Sequence, residues 1–175
     1  MQLVERHVIK RADPRFAAID AAAFASKNLY NAANYLNYYE LHQRMKGHEA
    51  YQALPAKVAQ WVLRILDQNW QSFFTALAAW QEDPTAFLGR PCIPCYKHKQ
   101  QGRNLLVYTI QALSLPALRA GLIVPSMLGV SVRTRQQHES IKQVRIVPRK
   151  GFYVVEVIYE QKPLQPPSTP RFMLA

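Results

Sequence analysis

The feature that most constrains this chain is a change of hydrophobic period near residue 104. From Asp13 to Asp83 apolar side chains recur every three or four residues; from Leu105 onward they recur every second residue. The first spacing puts them on one face of a helix and the second on one face of a strand, so a helical part is followed by a sheet part. Asp13-Pro14 supplies an N-cap acid with proline at the first helical position. Phe16 to Lys46 then continues with almost no breaker until Gly47, which predicts one long helix, or two with a kink near Ser26. Leu29, Ala32, Ala33, Leu36 and Leu41 form its apolar stripe, with Tyr30, Asn31, Asn34, Tyr38 and Gln43 at least partly on other faces. A second helix is predicted from Leu54-Pro55 to about Trp80, before the breaker Glu82-Asp83-Pro84. Its stripe of Val58, Trp61, Val62, Ile65, Leu66, Phe73, Leu77 and Trp80 has to be covered, and the first helix is the available partner.

The sheet part begins with Leu105, Val107, Thr109 and Gln111 alternating with Leu106, Tyr108 and Ile110, and breaks at Ser114-Leu115-Pro116. GLIVP, GVSVRTR, IKQVRIVPRKG and FYVVEVIYE follow, each bounded by Gly or Pro, with Lys150-Gly151 as a hairpin turn between the last two. Residues 2 to 11 read as one more strand, marginal alone and in need of a sheet to join. The expectation is an α+β chain: a small β-barrel built from 1–12 and 85–162, with a helical domain, 13–84, inserted after its first strand. Residues 163–175, PLQPPSTPRFMLA, read as a Pro-rich linker or a cut end.

Charge is concentrated rather than spread. The chain carries 22 Lys and Arg against 11 Asp and Glu; residues 84–150 hold 11 of the cations and a single acid, Glu139. Within that segment, Leu88 to Gln111 sets Arg90, Lys97, Lys99 and Arg103 among Tyr96, His98 and Tyr108 with no acid at all. Cations neutralise phosphates and rings offer faces for bases, so this composition suits a nucleic-acid strand, although a solvated basic turn has the same composition. The charged N-terminus MQLVERHVIKR cannot serve as a signal-peptide core and no apolar run approaches 18 residues, which leads to the expectation of a cytoplasmic protein.

Other chemistry is weakly represented. Cys92-Ile-Pro-Cys95 is the only cysteine pair; without a second pair it falls short of a zinc site even with His98 near, and its flanks do not suit a redox motif. No carboxylate pair recommends itself as a two-metal or acid-base set, and no phosphate-binding glycine loop or nucleophile elbow is present. The expectation is no metal, no cofactor and no catalysis by this polypeptide.

The order of a strand, YNAANYL on a helix, a Trp-rich helix ending W-QEDP, then P-YKHK-GRNLLVYTIQA and G-I--P, resembles the N-terminal half of the TnpB (OrfB) proteins of bacterial insertion sequences. These are counted among transposases and are similar to compact ancestors of RNA-guided CRISPR nucleases. The resemblance covers almost the whole chain. It implies a barrel-like wedge domain with an inserted recognition domain, holding a guide RNA and reading a short DNA motif beside the target. RFMLA looks like the strand that leads into the RuvC-like nuclease, so the resemblance implies a chain that stops short of the catalytic acids and of the family's zinc ribbon. By motif, Tyr96, Lys97, Lys99, Arg103, Asn104 and Tyr108 are the implied nucleic-acid contacts, with Tyr30, Asn31 and Asn34 on the helix. Arg90, Arg133 and Arg135 are added as basic candidates. Two other readings stay open: one part of a split RNA-guided endonuclease whose RuvC-like half is a separate chain, and a protein-interaction module whose helical hairpin docks a partner.

Overall fold

The computed structural model describes residues 1–34 and 43–161. β1 (Gln2–Lys10) leads to α1 (Phe16–Ala33), a single turn α2 (Glu49–Gln52) and α3 (Ala56–Glu82). After an extended stretch come β2 (Leu106–Thr109), α4 (Leu115–Arg119), β3 (Leu122–Ile123), β4 (Val132–Arg133), β5 (Ile141–Arg149) and β6 (Phe152–Glu160). The chain is therefore α+β, with α1 to α3 inserted between the first strand and the others and the short α4 between β2 and β3. The sequence readings at Tyr35 to His42 and beyond Gln161, which include Leu36, Tyr38, Leu41 and the Pro-rich end, lie outside the described residues.

Four strands form an antiparallel sheet in the order β1-β6-β5-β2, and β3 pairs with β4 separately. The strand over residues 2–11 thus finds its sheet, in register from Gln2 opposite Glu160 to Lys10 opposite Phe152. Gly151, at φ 85°, makes the predicted turn between β5 and β6; its left-handed backbone suits a two-residue hairpin loop and glycine adopts it without strain. The expected barrel does not close. Among the described residues β1 and β2 each have a partner on one side only. The runs expected to complete it give just two strand residues each: Gly121 turns the backbone to positive φ just before the first, and Met127 and Gly129 do so between the two. The run after Leu105 also stops early, at Thr109, where Ile110–Ala112 tightens into a 3-10 turn.

α1 starts two residues later than Asp13-Pro14 suggested. The Asp13 carboxylate is taken by Arg15, accepting from its backbone N–H at 3.0 Å and from its guanidinium at 2.8 and 2.6 Å, so it closes a turn before the helix instead of capping it. The helix passes Ser26 without the expected break and ends at Ala33; residues 43–45 are helical again, before the turn at Lys46-Gly47, and the stretch 35–42 lies outside the described residues. Helices and sheet share one core: Ile19 and Leu29 of α1 and Val58 and Leu63 of α3 pack in the same cluster as Leu106, Ile146 and Val157. That common core fixes α1 and α3 against the sheet.

α3, 27 residues and so about 40 Å long, is buried only at Val58, Ala59, Val62, Leu63 and Leu66. The aromatic positions expected in the core behave differently. Trp61, Phe73 and Trp80 are half-buried, and Phe74, which lies outside the expected stripe, is 59% exposed. No helix among the described residues is long and apolar enough to cross a membrane.

Candidate nucleic-acid interface

The basic stretch between Gly89 and Leu105 has no regular structure of its own, so its backbone polar groups need partners elsewhere. α1 supplies them from one line of side chains. Asn34 donates to the Pro94 carbonyl at 3.1 Å; Asn31 donates to the Lys97 carbonyl at 2.8 Å and accepts from the Lys97 N–H at 2.9 Å. Lys27 donates to the Lys99 carbonyl at 2.6 Å, and Ser26 to that of Leu105 at 3.0 Å. Asn104 returns the contact, its side chain donating to the Ser26 hydroxyl at 3.2 Å and its backbone N–H to the Ala23 carbonyl at 3.1 Å. At the far end Asp20 receives Arg103 in a two-pronged ion pair, 2.8 and 2.7 Å, together with the Tyr153 hydroxyl at 2.7 Å. Positions 20, 23, 27, 31 and 34 follow one another at three- and four-residue spacing. The loop therefore runs antiparallel along this helix face from Pro94 to Lys99, turns at His98 to Gly102, and comes back parallel to it from Arg103 to Leu105.

Electrostatics reinforce this arrangement. Lys27 is only 2% exposed and has no carboxylate partner among the described residues; its ammonium lies 3.8 Å from the Phe24 ring centre, and Arg103 covers the same ring at 5.0 Å. Burial lowers its pKa, and the nearby Arg103 and Lys99 lower it further. Asp20 moves the other way for its charge: hydrogen bonds from Arg103 hold its carboxyl below the ordinary 3.8, against the effect of burial and with help from the Tyr153 hydroxyl. Within the loop, His98 accepts at Nδ1 from the N–H groups of Gln100 and Gln101 and closes a tight turn. Gly102 completes that turn, where a Cβ would run into the His98 carbonyl.

The sequence-predicted residues consequently divide. Asn31, Asn34 and Asn104 hold the loop, and Arg103 is wholly engaged, since it also donates to the Gln100 and Gly102 carbonyls. Tyr108, 1% exposed on β2, and the buried Tyr30 are core residues, so neither offers a face to a base; burial pushes the Tyr108 phenol up. Lys97 is half-buried, with its ammonium 5.0 Å over Tyr30. Tyr96, Lys99 and Arg90 are on the exposed side, Arg90 stacked 5.7 Å over Trp80. Arg133 and Arg135 are exposed but belong to a different surface, where the Arg135 N–H and the Thr134 hydroxyl bind Glu5. Cys92 and Cys95 are free, exposed thiols.

Sequence reasoning missed a second basic concavity. An open groove between the start of α3 and the β2–β5 edge is lined by Lys57, Trp61, Arg64, Thr109, Gln111 and Lys142. Arg64 lies 5.3 Å over the Trp61 ring, and the Thr109 hydroxyl is shielded with no hydrogen-bond partner among the described residues. Lys57, Trp61 and Arg64 were legible as one face over about two turns of helix, but their meeting with Thr109 and Lys142 is a product of the fold. No family model matches this chain, and no curated protein matches it.

Proposed function

We propose that this chain binds nucleic acid, gripping phosphates with the exposed cations of the clamped loop and bases or sugar edges with the groove beside α3. One observation carries the reading: α1 devotes an entire line of polar side chains to fixing the backbone of residues 94–105, in a loop that contains no acid, which presents Lys99 and Tyr96 in one arrangement, with Arg90 placed beside them over Trp80. Binding groups held in place before the ligand arrives lose less entropy on association. The groove supports it with three cations around a tryptophan, a combination suited to a phosphate-bearing chain with stacked bases.

The resemblance to the N-terminal half of TnpB proteins makes the proposal more specific. The ligands are then a guide RNA and the DNA motif flanking its target, the open sheet with inserted helices is the counterpart of the wedge and recognition parts, and the protein is cytoplasmic. In this proposal the chain binds and does not cut; nuclease chemistry, in a split arrangement, comes from a separate RuvC-like chain. The experiment is sequencing of RNA that co-purifies with the chain, followed by affinity measured over a range of salt. A defined RNA population and a steep salt dependence support the proposal, and an RNA-free protein indifferent to oligonucleotides overturns it.

A second reading is favoured by the aromatic group on the far half of α3. Trp70, Phe73 and Phe74 lie with ring centres 5.2 to 5.9 Å apart on a half-buried to exposed face. A protein partner docking there would bind with little salt dependence.

A further inference from the structure

We infer that the phosphate-binding surface continues past Arg103 onto the tip of the β5–β6 hairpin, where Lys10, Arg11, Arg149 and Lys150 form a second nucleic-acid contact around Phe152. The inference rests on the nucleic-acid reading above and extends its footprint.

Register brings the four cations together. Lys10 pairs with Phe152 across β1 and β6, and Arg149 pairs with Phe152 across β5 and β6. The three side chains therefore stand in one row across adjacent strands, and neighbouring strands are about 4.8 Å apart. Arg11 follows Lys10 directly, and Lys150 sits in the turn beside Gly151. All four cations are exposed and Phe152 is half-buried.

The carboxylates at this end are already committed. Asp13 is bound on both oxygens by Arg15, and Asp20, whose field reaches Arg11, is bound by Arg103 and Tyr153. None of the four cations forms an ion pair among the described residues. Four like charges crowded on two chain segments repel one another, and a polyanion laid across them relieves that repulsion. Asp20 links the two places through Arg11, whose charge acts on it. Arg103 and Tyr153 bind Asp20 on the helix-covered face of the sheet, while Phe152, next to Tyr153, points to the opposite face, so a nucleic-acid strand leaving the loop reaches the patch by passing round the hairpin tip. Phe152 between Lys10 and Arg149 favours a nucleic acid over a lipid headgroup layer, since a ring flanked by cations suits a base next to its phosphates.

The test compares wild type with Lys10→Gln/Arg11→Gln/Arg149→Gln/Lys150→Gln, using oligouridylates of about 6 and about 20 nucleotides, lengths below and above one typical single-strand site. Both are titrated across salt. The expected result is unchanged affinity for the short strand, weaker binding of the long strand, and a plot of log affinity against log salt for the long strand flatter by roughly 2 to 3 units, at about 0.7 per lost phosphate contact. The melting temperature should hold or rise, as repulsion is removed; if it falls, Arg149→Gln/Lys150→Gln carries the same test at about half the change in slope. An unchanged slope with the long strand overturns the inference. So does equal weakening of short and long strands, because the patch would then not extend the footprint. Binding of the wild type to phosphatidylserine vesicles that is lost in the variant, with RNA affinity intact, assigns the patch to membranes and overturns it too. A wild type that binds neither oligonucleotide in a salt-dependent way overturns the nucleic-acid reading itself, a distinct outcome.

Discussion

Asn31 satisfies both backbone groups of Lys97, accepting from its N–H at 2.9 Å and donating to its carbonyl at 2.8 Å, across 66 residues of chain. An asparagine used this way acts like one rung of a sheet offered by a helix. It holds the loop by its backbone and leaves the loop's side chains to face outward.

The first prediction concerns that rung. Asn31→Ala removes two hydrogen bonds and strands a half-buried peptide N–H and carbonyl, which should cost about 1 to 3 kcal/mol. Denaturant unfolding measures the loss, and hydrogen exchange should show the Lys97 amide losing protection while the β5–β6 amides keep theirs. Uniform loss of protection would mean that Asn31 supports the whole core and not the loop.

The second uses acid. Arg103 and Tyr153 lower the pKa of Asp20 in the folded chain, so between its folded and unfolded values the unfolded chain binds more protons. Stability from this carboxylate is fully present above the ordinary value of 3.8 and is lost as pH falls through the lowered folded value. Asp13, held at about 2 mainly by the Arg15 guanidinium, follows the same sign. Asp20→Asn should therefore destabilise the protein by about 1 to 3 kcal/mol at neutral pH, with the difference from wild type shrinking in acid. A pH-independent difference between the two melting curves would contradict it.

The third concerns Gly102, where any side chain meets the His98 carbonyl. Gly102→Ala should open the turn from His98 to Gln101 and lower oligonucleotide affinity more than it lowers the melting temperature, since the turn is at the surface. An unaltered affinity would show that the turn's shape does not matter to binding.

The fourth separates charge from stacking. Lys99→Ala and Arg90→Ala should each flatten the salt plot by about 0.7 for a single strand. Tyr96→Ala should displace the line by the equivalent of about 1 to 3 kcal/mol without changing its slope. Arg103→Ala should reveal itself first as lost stability, because that guanidinium is already bound to Asp20.

The fifth is that Cys92→Ser/Cys95→Ser keeps the wild-type melting temperature. Each thiol makes one weak contact, to the carbonyls of Arg90 and Ile93 at 3.7 and 3.6 Å, and both are exposed. Stoichiometric zinc in the purified wild type, lost with several degrees of stability in the variant, would contradict it.

Periodicity made the helices, the β5–β6 hairpin and the membership of residues 2–11 in a sheet legible, because each follows from local spacing. Sheet closure was not legible, since it turned on where Gly121, Met127 and Gly129 bend the chain. Asn31 and Asn34 are legible as polar positions on the helix, where the resemblance makes them ligand contacts, while Asp20 and Lys27, which complete the line that holds the loop, carry no such signal in the sequence. A sequence window does not show that residues 94 to 105 will lie on that face, so it cannot distinguish an asparagine that binds RNA from one that binds its own backbone. Arg103 illustrates the same limit: its use depends on an acid 83 positions away.

The Met1 ammonium donates to the Gln161 carbonyl at 3.3 Å, and the Gln161 N–H returns a bond to the Met1 carbonyl at 3.1 Å, at the end of the β1–β6 ladder. These two positions are neighbours in space, so, with 162–175 removed, β1 and β6 could be joined there by a few residues and the chain opened instead within 84–89, which is mostly exposed and not bonded to α1. β1 would then become the second strand of a β6–β1 hairpin. The order in which the pieces are synthesised would change while every contact of the loop with α1 stayed intramolecular, making this protein a candidate for circular permutation with its binding surface preserved.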